Sequence, residues 1–259
     1  MAGFKWAGSL TNSAPNTIIL PISETMYVGQ LAQWDIGNGA AGLSGGVQIL
    51  DAATELWEDD EPVAGVVTGV HSEDRVYDST YYGDKCTYST TQSVIKATGE
   101  PSVVVTLAVP HVTLFKGPIF NAAFGTALTE LVVTSADSGG TTVTHANDAI
   151  TDCADDFGIV YCRSGANRGL YRKNTTPGTG AQVVSVPFPN GIVAGDVFVA
   201  ASIKKGMTCI DFPATANCID GNNDINTGYG VVVHEVNLEE SGKEYAVFSF
   251  TAAAVASES

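Results

Sequence analysis

Short segments rich in Val, Ile, Thr and aromatic residues run through most of this chain, and Gly, Pro, Asn or Asp separates them. The first group of residues favours a pleated, half-buried strand, whereas the second group favours turns. The turn signals recur about every 8–15 residues, which is typical of antiparallel sandwiches and barrels and not of strands alternating with long helices. The predicted strands are 17–22, 28–34, 46–50, 63–70, 94–97, 103–115, 131–135, 158–163, 168–173, 182–188, 196–203, 228–235 and 243–252.

Helical patterns are few. Two short helices are predicted, at 121–131 and 145–157, and the second carries apolar residues at steps of three and four. The sequence Lys116-Gly117-Pro118 predicts a joint between two units, a barrel-like domain at 1–115 and a second β-rich domain at 116–259. The predicted fold class is therefore mainly β: an antiparallel barrel or sandwich, made of two small β units with one or two short helices.

Charge limits the possible partners. The chain has 12 Lys and Arg residues against 28 Asp and Glu, and its net charge is −16. Nucleic acid is not an expected partner, because a basic surface supplies most of the affinity for it. No membrane span is expected either, because no run approaches the ~18–20 apolar residues that a span needs. Charged residues make up only 15% of the chain, and a weakly charged surface is tolerable when much of it is buried in an assembly. The alternative is an ordinary β protein rich in Thr and Ser.

Half of the cations lie in one segment, 163–205. We predict that Arg163, Arg168, Arg172 and Lys173 form an interface and pair with carboxylates of a neighbouring molecule. The alternative is a solvated hairpin edge, where cations discourage the addition of another strand.

Catalytic patterns are missing from the sequence. Nucleophilic catalysis needs a histidine within reach of a Ser or Cys, but the four histidines lie in unrelated neighbourhoods. His111 and His234 fall within apolar, strand-like runs, where a hydrogen-bonded core or interface histidine is expected. The sequence has no nucleophile elbow, zinc-protease helix or phosphate loop. No catalytic residue, enzyme activity or cofactor is predicted.

The cysteines number five, and their spacing does not match a zinc site. Reduced, buried thiols are therefore predicted, with Cys86 among them. Local disulfides Cys153–Cys162 and Cys209–Cys218 remain open.

A calcium loop is a weaker candidate. Asp220, Asn222 and Asp224 place oxygen side chains at alternate positions, but Ile225 and Val231 occupy the positions where a helix-loop-helix calcium site needs Gly and Glu. A polar turn is the favoured interpretation, and no metal is predicted.

Tyrosines form a second candidate surface. Tyr77, Tyr81, Tyr82 and Tyr88 lie close in sequence to Asp78 and Asp84. Aromatic faces beside carboxylates could bind a glycan, whereas subunit contacts are also enriched in Tyr. We predict a subunit contact.

Three phrases resemble virion structural proteins of tailed phages, especially β-barrel capsid decoration (cement) proteins and structural proteins of marine phages. They are 26–50 (MYVGQLAQWDIGNGAAGLSGGVQIL), 60–70 (DEPVAGVVTGV) and 168–199, which contains GLYRK, VSVPFP and GIVAGDVFV. The chain is longer than simple cement barrels, and it lacks the long helix of a major capsid protein.

The resemblance implies a non-enzymatic virion protein, made in the cytoplasm of the host bacterium. It would decorate and stabilise the capsid by bridging neighbouring capsid subunits, as a homo-oligomer for which a trimer is favoured. The alternative function is a carbohydrate-binding or adhesin module on the particle surface, which would use the tyrosine cluster.

Overall fold

The computed structural model describes residues 3–22, 24–35, 46–50, 62–70, 75–78, 83–86, 101–121, 125–147, 158–210, 212, 217–221 and 229–255. These residues form twenty β-strands and one short helix, and the strand pairs are antiparallel with a single parallel exception. The predicted mainly-β, antiparallel fold with a barrel is confirmed.

Elements are numbered in chain order. The first ten strands are β1 (Lys5–Ser9), β2 (Thr17–Pro21), β3 (Met26–Tyr27), β4 (Leu31–Asp35), β5 (Gly46–Ile49), β6 (Val63–Val70), β7 (Arg75–Asp78), β8 (Gly83–Cys86), β9 (Ser102–Leu107) and β10 (Thr113–Phe120). The others are β11 (Glu130–Ser135), β12 (Thr142–His145), β13 (Ile159–Cys162), β14 (Tyr171–Thr176), β15 (Ala181–Val184), β16 (Val197–Ala201), β17 (Cys209–Ile210), β18 (Ile219–Asp220), β19 (Tyr229–Asn237), β20 (Tyr245–Phe250) and the helix α1 (Ala252–Val255).

The N-terminal sheet has five strands in the order β2-β9-β6-β4-β5. A parallel bridge between Ile22 and Val47 connects the last strand back towards the first. Val67, Val103 and Val105 pack with these two residues in one buried apolar core. A separate three-stranded sheet, β3-β8-β7, adds Met26 and Cys86 to the same core.

A closed six-stranded barrel follows, in the order β11-β12-β15-β14-β13-β16. Its side chains alternate between the interior and the exterior, as the period of two in a β-strand requires. In β11, Leu131 and Val133 are buried inside the barrel, whereas Val132 between them is 50% exposed. Phe188 and Phe198 fill the interior with their ring centroids 5.2 Å apart.

The central sheet, β1-β10-β20-β19-β17, combines strands from both ends of the chain. Its core is rich in phenylalanine, and the ring of Phe248 contacts those of Phe4, Phe115 and Phe250. The outer face of barrel strands β13 and β16 contributes residues to this same core, so the barrel packs against the central sheet. Strand β10 spans the position of the predicted joint between 115 and 116. The division into two domains stays a prediction.

Several local predictions differ from the structure. The predicted strand 103–115 is two strands, β9 and β10, with a turn between them that holds His111 at a positive φ of 54°. His111 is exposed there, so its predicted place within a strand is wrong. The predicted helix 121–131 is also wrong where it is described, because 125–129 are not helical and Glu130 begins a barrel strand.

Two other predictions fall largely outside the described residues. The strand predicted at 94–97 lies outside them completely. Of the helix predicted at 145–157, His145 ends strand β12, and 148–157 lie outside.

Candidate interaction surface on the barrel

One end of the barrel is built from three loops, 136–141, 163–170 and 185–196. In the first loop, the Asp137 carboxylate accepts backbone hydrogen bonds from Thr142, Thr141 and Gly139, each 2.8 Å long. The N–H of Thr142 has the largest effect, and together these donors lower the pKa of Asp137 below its ordinary value, against a smaller opposing effect of desolvation. The carboxylate therefore fixes the shape of this loop.

The second and third loops are bound to each other through Asn167, which is completely buried. Its Oδ1 accepts a hydrogen bond from the backbone N–H of Asn190, and its Nδ2 donates to the carbonyl of Gly191. The third loop is bound to the first by the 2.8 Å hydrogen bond from the N–H of Phe188 to the carbonyl of Gly140. Loops held in this way form a rigid platform for the side chains that they expose.

Arg163, one of the predicted interface residues, points its side chain into its own chain. It is 8% exposed, and its Nη1 lies 2.9 Å from Oε1 of Glu130. Its Nη2 pairs with Glu244, whose side chain is fully buried, and its Nε donates to the carbonyl of Leu238 at 2.8 Å. Arg163 therefore joins the barrel to the segment before β20, and the case for an intermolecular contact depends on other residues.

Arg172 keeps its charge near the surface. Its guanidinium donates to the carbonyls of Pro187 at 3.2 Å and Tyr171 at 2.8 Å, and it lies 5.2 Å from the ring centroid of Phe188. Contacts with carbonyls and with an aromatic face orient the cation without neutralising it. Within the described part of the chain, Arg172 has no carboxylate partner.

Arg168 and Lys173 are exposed, and they precede and follow Arg172 in the sequence. Arg168 lies near Tyr161, whose pKa is raised mainly by burial, with Glu239 raising it further and Arg168 opposing the rise. Tyr161 lies directly opposite Tyr171 in the pairing of β13 with β14. Arg168, Tyr171 and Lys173 therefore belong to one continuous part of the barrel.

The sequence segment 158–195 contains none of the 28 Asp and Glu residues. It includes strands β13, β14 and β15, the loop 163–170 and all of the loop 185–196 except Asp196. Two large apolar side chains are exposed beside the cations, Tyr171 and Val186, each at 55%. We call Arg168, Tyr171, Arg172, Lys173 and Val186 the acid-free surface.

The charge pattern of the sequence predicted the three cations of this surface but not Tyr171 and Val186. The exposure of Tyr171 depends on the face of β14 to which it points, and that of Val186 depends on the path of the loop 185–196; neither follows from the strand patterns. The absence of acids from 158–195 was a signal available in the sequence.

Two of the described histidines, His145 and His234, form side-chain hydrogen bonds to buried residues. Nε2 of His234 lies 2.9 Å from Oγ of Ser249, as its predicted role as a hydrogen-bonded histidine requires. Ser249 is completely buried, so this pair does not present a nucleophile to a substrate. Burial, followed by Lys205 and His111, lowers the pKa of His234. His145 is buried inside the barrel, with its Nε2 3.1 Å from Nε2 of Gln182.

The other predicted site residues are only partly described. Tyr77 lies on β7 but its side chain is outside the described residues, and so are Tyr81 and Tyr82. Asp220 is buried at the end of β18, whereas Asn222 and Asp224 fall outside. Among the described residues, no group of three His, Cys, Asp or Glu side chains could hold a metal ion.

Three cysteines are buried thiols: Cys86, Cys162 and Cys218. Because Cys162 and Cys218 are both free cysteines, neither of the local disulfides left open by the sequence is formed. Desolvation raises the pKa of Cys162 to about 11, although its thiol donates a 2.9 Å hydrogen bond to the carbonyl of Ser164. Desolvation also raises the pKa of Cys218 to about 12, with Asp220 adding to the rise.

The described residues include no helix with the length and hydrophobicity needed to cross a bilayer. No protein-family model matches the chain, and no curated protein and no solved structure matches it either.

Proposed function

We propose that this chain is a non-enzymatic structural protein that decorates a phage capsid and stabilises it by bridging neighbouring subunits. The observation that carries the proposal is the acid-free surface on a rigid barrel end. A protein of net charge −16 repels acidic neighbours over most of its surface. On the acid-free surface, an acidic partner instead meets Arg168, Arg172 and Lys173.

The make-up of this surface also supports a protein partner. Tyr and Arg are enriched in the energetically important centres of protein interfaces, where their large side chains are removed from water. Tyr171 and Val186 supply apolar area, and Arg172 is already oriented by two carbonyls. Because the loops are fixed before binding, little conformational entropy is lost on association.

Stabilisation would follow from mass action. A ligand that binds only the assembled shell stabilises it by RT ln(1 + [L]/Kd), and one protein that contacts two neighbouring subunits gains further affinity by avidity. The capsid itself enters this proposal through the resemblance of three sequence phrases to decoration proteins. The acid-free surface supplies the physical means of attachment.

The test is co-sedimentation with particles of the encoding phage that lack this protein. The variant is Arg168→Glu/Lys173→Glu, because both side chains are exposed and neither change removes the carbonyl contacts of Arg172. The control is Lys205→Glu/Lys243→Glu, which changes the net charge by the same amount away from the acid-free surface. Each protein is first checked for folding by thermal melting.

We expect wild type and control to reach stoichiometric occupancy, and the Arg168/Lys173 variant to lose at least about tenfold in affinity, since like charges brought together at an interface cost several kcal/mol. Equal loss in variant and control would mean that net charge decides binding. Equal occupancy by all three proteins would remove this surface from the interface, and failure of the wild type to bind would overturn the decoration function.

A further inference from the structure

Two strands at sheet edges differ in how they are protected. Strand β1, at the edge of the central sheet, carries an exposed Lys5 and a bulge between Trp6 and Gly8. Charged residues and bulges are two devices by which proteins prevent an edge from accepting another strand. Strand β2, at the edge of the N-terminal sheet, has neither, because it is uncharged and pairs with β9 in unbroken register.

The register identifies the backbone groups of β2 that face away from β9. The N–H of Leu107 donates to the carbonyl of Asn16, and the N–H of Ile22 donates to the carbonyl of Pro101. In an antiparallel pair, hydrogen-bonded positions alternate along the strand, so Ile18 also faces β9. The backbone groups of Thr17 and Ile19 therefore point outwards.

Along this outer edge, the described residues contact β2 at its C-terminal end, where Gly46 of β5 packs against Pro21 and Val47 forms a bridge with Ile22. The side chain of Ile19 is 57% exposed and that of Ile18 is 39% exposed. An edge with outward N–H and C=O groups and exposed β-branched side chains is a template for strand addition.

The charge pattern selects the occupant. Residues 6–23 contain no Asp, Glu, Lys or Arg, although the chain as a whole carries −16. Two copies of such a protein repel each other except where the approaching surfaces are neutral. A two-fold contact places the same surface of each copy against the other, so a neutral, apolar segment is self-complementary, whereas the cationic acid-free surface is not.

We propose that two copies of this protein associate by antiparallel pairing of their β2 strands. With Thr17 of each copy opposite Ile19 of the other, the outward N–H and C=O groups of both residues find partners in both copies. Pro15 and Pro21 lie on either side of this short segment, and neither has an N–H to extend the ladder. The contact occupies the free edge of β2 in each copy, so association stops at a dimer, in contrast to the trimer that the resemblance favours.

The experiment measures the mass of the full chain in solution by sedimentation velocity, from roughly 1 to roughly 200 µM protein, because association follows mass action. Ile19→Lys places two like charges close together in the contact. Ile19→Pro removes one outward N–H from each copy and leaves the bonds to β9, which use the neighbouring residues. Val132→Lys is the control, since Val132 is similarly exposed on a closed barrel that has no strand edge.

Wild type and Val132→Lys should move from the 26.9 kDa monomer to a species of twice that mass as concentration rises. Both Ile19 variants should remain monomeric, with melting temperatures close to that of the wild type. A wild type that is monomeric throughout, or that forms a trimer, would overturn the proposal. So would a dimer that persists in Ile19→Lys. None of these results depends on capsid binding.

Discussion

Removing Arg163 should destabilise the fold far more than removing an ordinary surface cation. The side chain of Arg163 is 5% exposed and that of its partner Glu244 is 0% exposed, whereas that of Glu130 is 44% exposed. Arg163→Met therefore leaves the Glu244 carboxylate buried without a cation. Breaking a buried pair from one side costs about 3–5 kcal/mol, and the half-exposed partner Glu130 adds less than about 1 kcal/mol.

The melting temperature should fall accordingly. In a chain of this size, each kcal/mol lowers it by about 2–4 °C, so we expect a fall of roughly 6–20 °C for Arg163→Met. Thermal and urea unfolding followed by circular dichroism provide the measurement. Glu130→Gln is the matched control, and it should cost under about 1 kcal/mol because water already screens that carboxylate.

A double variant tests the cause. In Arg163→Met/Glu244→Gln the buried charge is gone, so this protein should be more stable than Arg163→Met alone. Two results would refute the reasoning. One is a loss for Arg163→Met within about 0.5 kcal/mol, the range of ordinary surface substitutions. The other is a double variant whose loss of stability equals the sum of the losses measured for Arg163→Met alone and for Glu244→Gln alone.

Three further predictions follow from the barrel and the buried thiols. Because the pKa of Asp137 is lowered in the folded state, its carboxylate stabilises the fold above its ordinary pKa near 4, and this contribution is lost as the pH falls through the folded pKa. Urea unfolding should therefore show that Asp137→Ala is less stable than the wild type near neutral pH. A difference in stability that persists undiminished below about pH 3 would contradict this. Gly140 has a φ of +69°, and a Cβ at this position would meet the carbonyl oxygen of Phe188. Gly140→Ala should therefore lower the free energy of unfolding by about 1–3 kcal/mol in the same assay. An unchanged stability would contradict this prediction. Cys162 and Cys218 should stay unmodified by iodoacetamide in the native protein at neutral pH, because their pKa values of about 11 and about 12 keep both thiols protonated. Peptide mapping should find them modified only after unfolding. Rapid labelling of either thiol in the native protein would disprove this prediction.

Local patterns predicted much of the strand content. Strand β6 has the predicted bounds of 63–70, because its run of valines with Gly is bounded by Pro62 and polar residues. Strand β1 was missed, because its sequence KWAGS is short and has little apolar alternation. The helix predicted at 121–131 overlapped the predicted strand 131–135 at Leu131, and in the fold Leu131 is an inward residue of barrel strand β11.

The site could be predicted only in part. The segment containing Arg168, Arg172 and Lys173 was identified from its charge, and the structure places all three on one part of the barrel. The role of Arg163 was not predictable, because Glu130 and Glu244 lie 33 and 81 residues away in sequence and meet it only when the barrel packs on the central sheet. The direction of each strand side chain and such distant pairings are properties of the closed fold.

The strand order also determines which part of this protein can fold first. Strand β10 ends at Phe120 and its neighbour β20 begins at Tyr245, so the ribosome must synthesise the chain as far as β20 before the two can pair. The barrel strands lie between them, from 130 to 201, and pair among themselves. Loop closure over a long separation costs more entropy than local pairing, so the barrel can assemble first and bring β10 and β20 together. The barrel would thus serve as the folding nucleus that completes the central sheet.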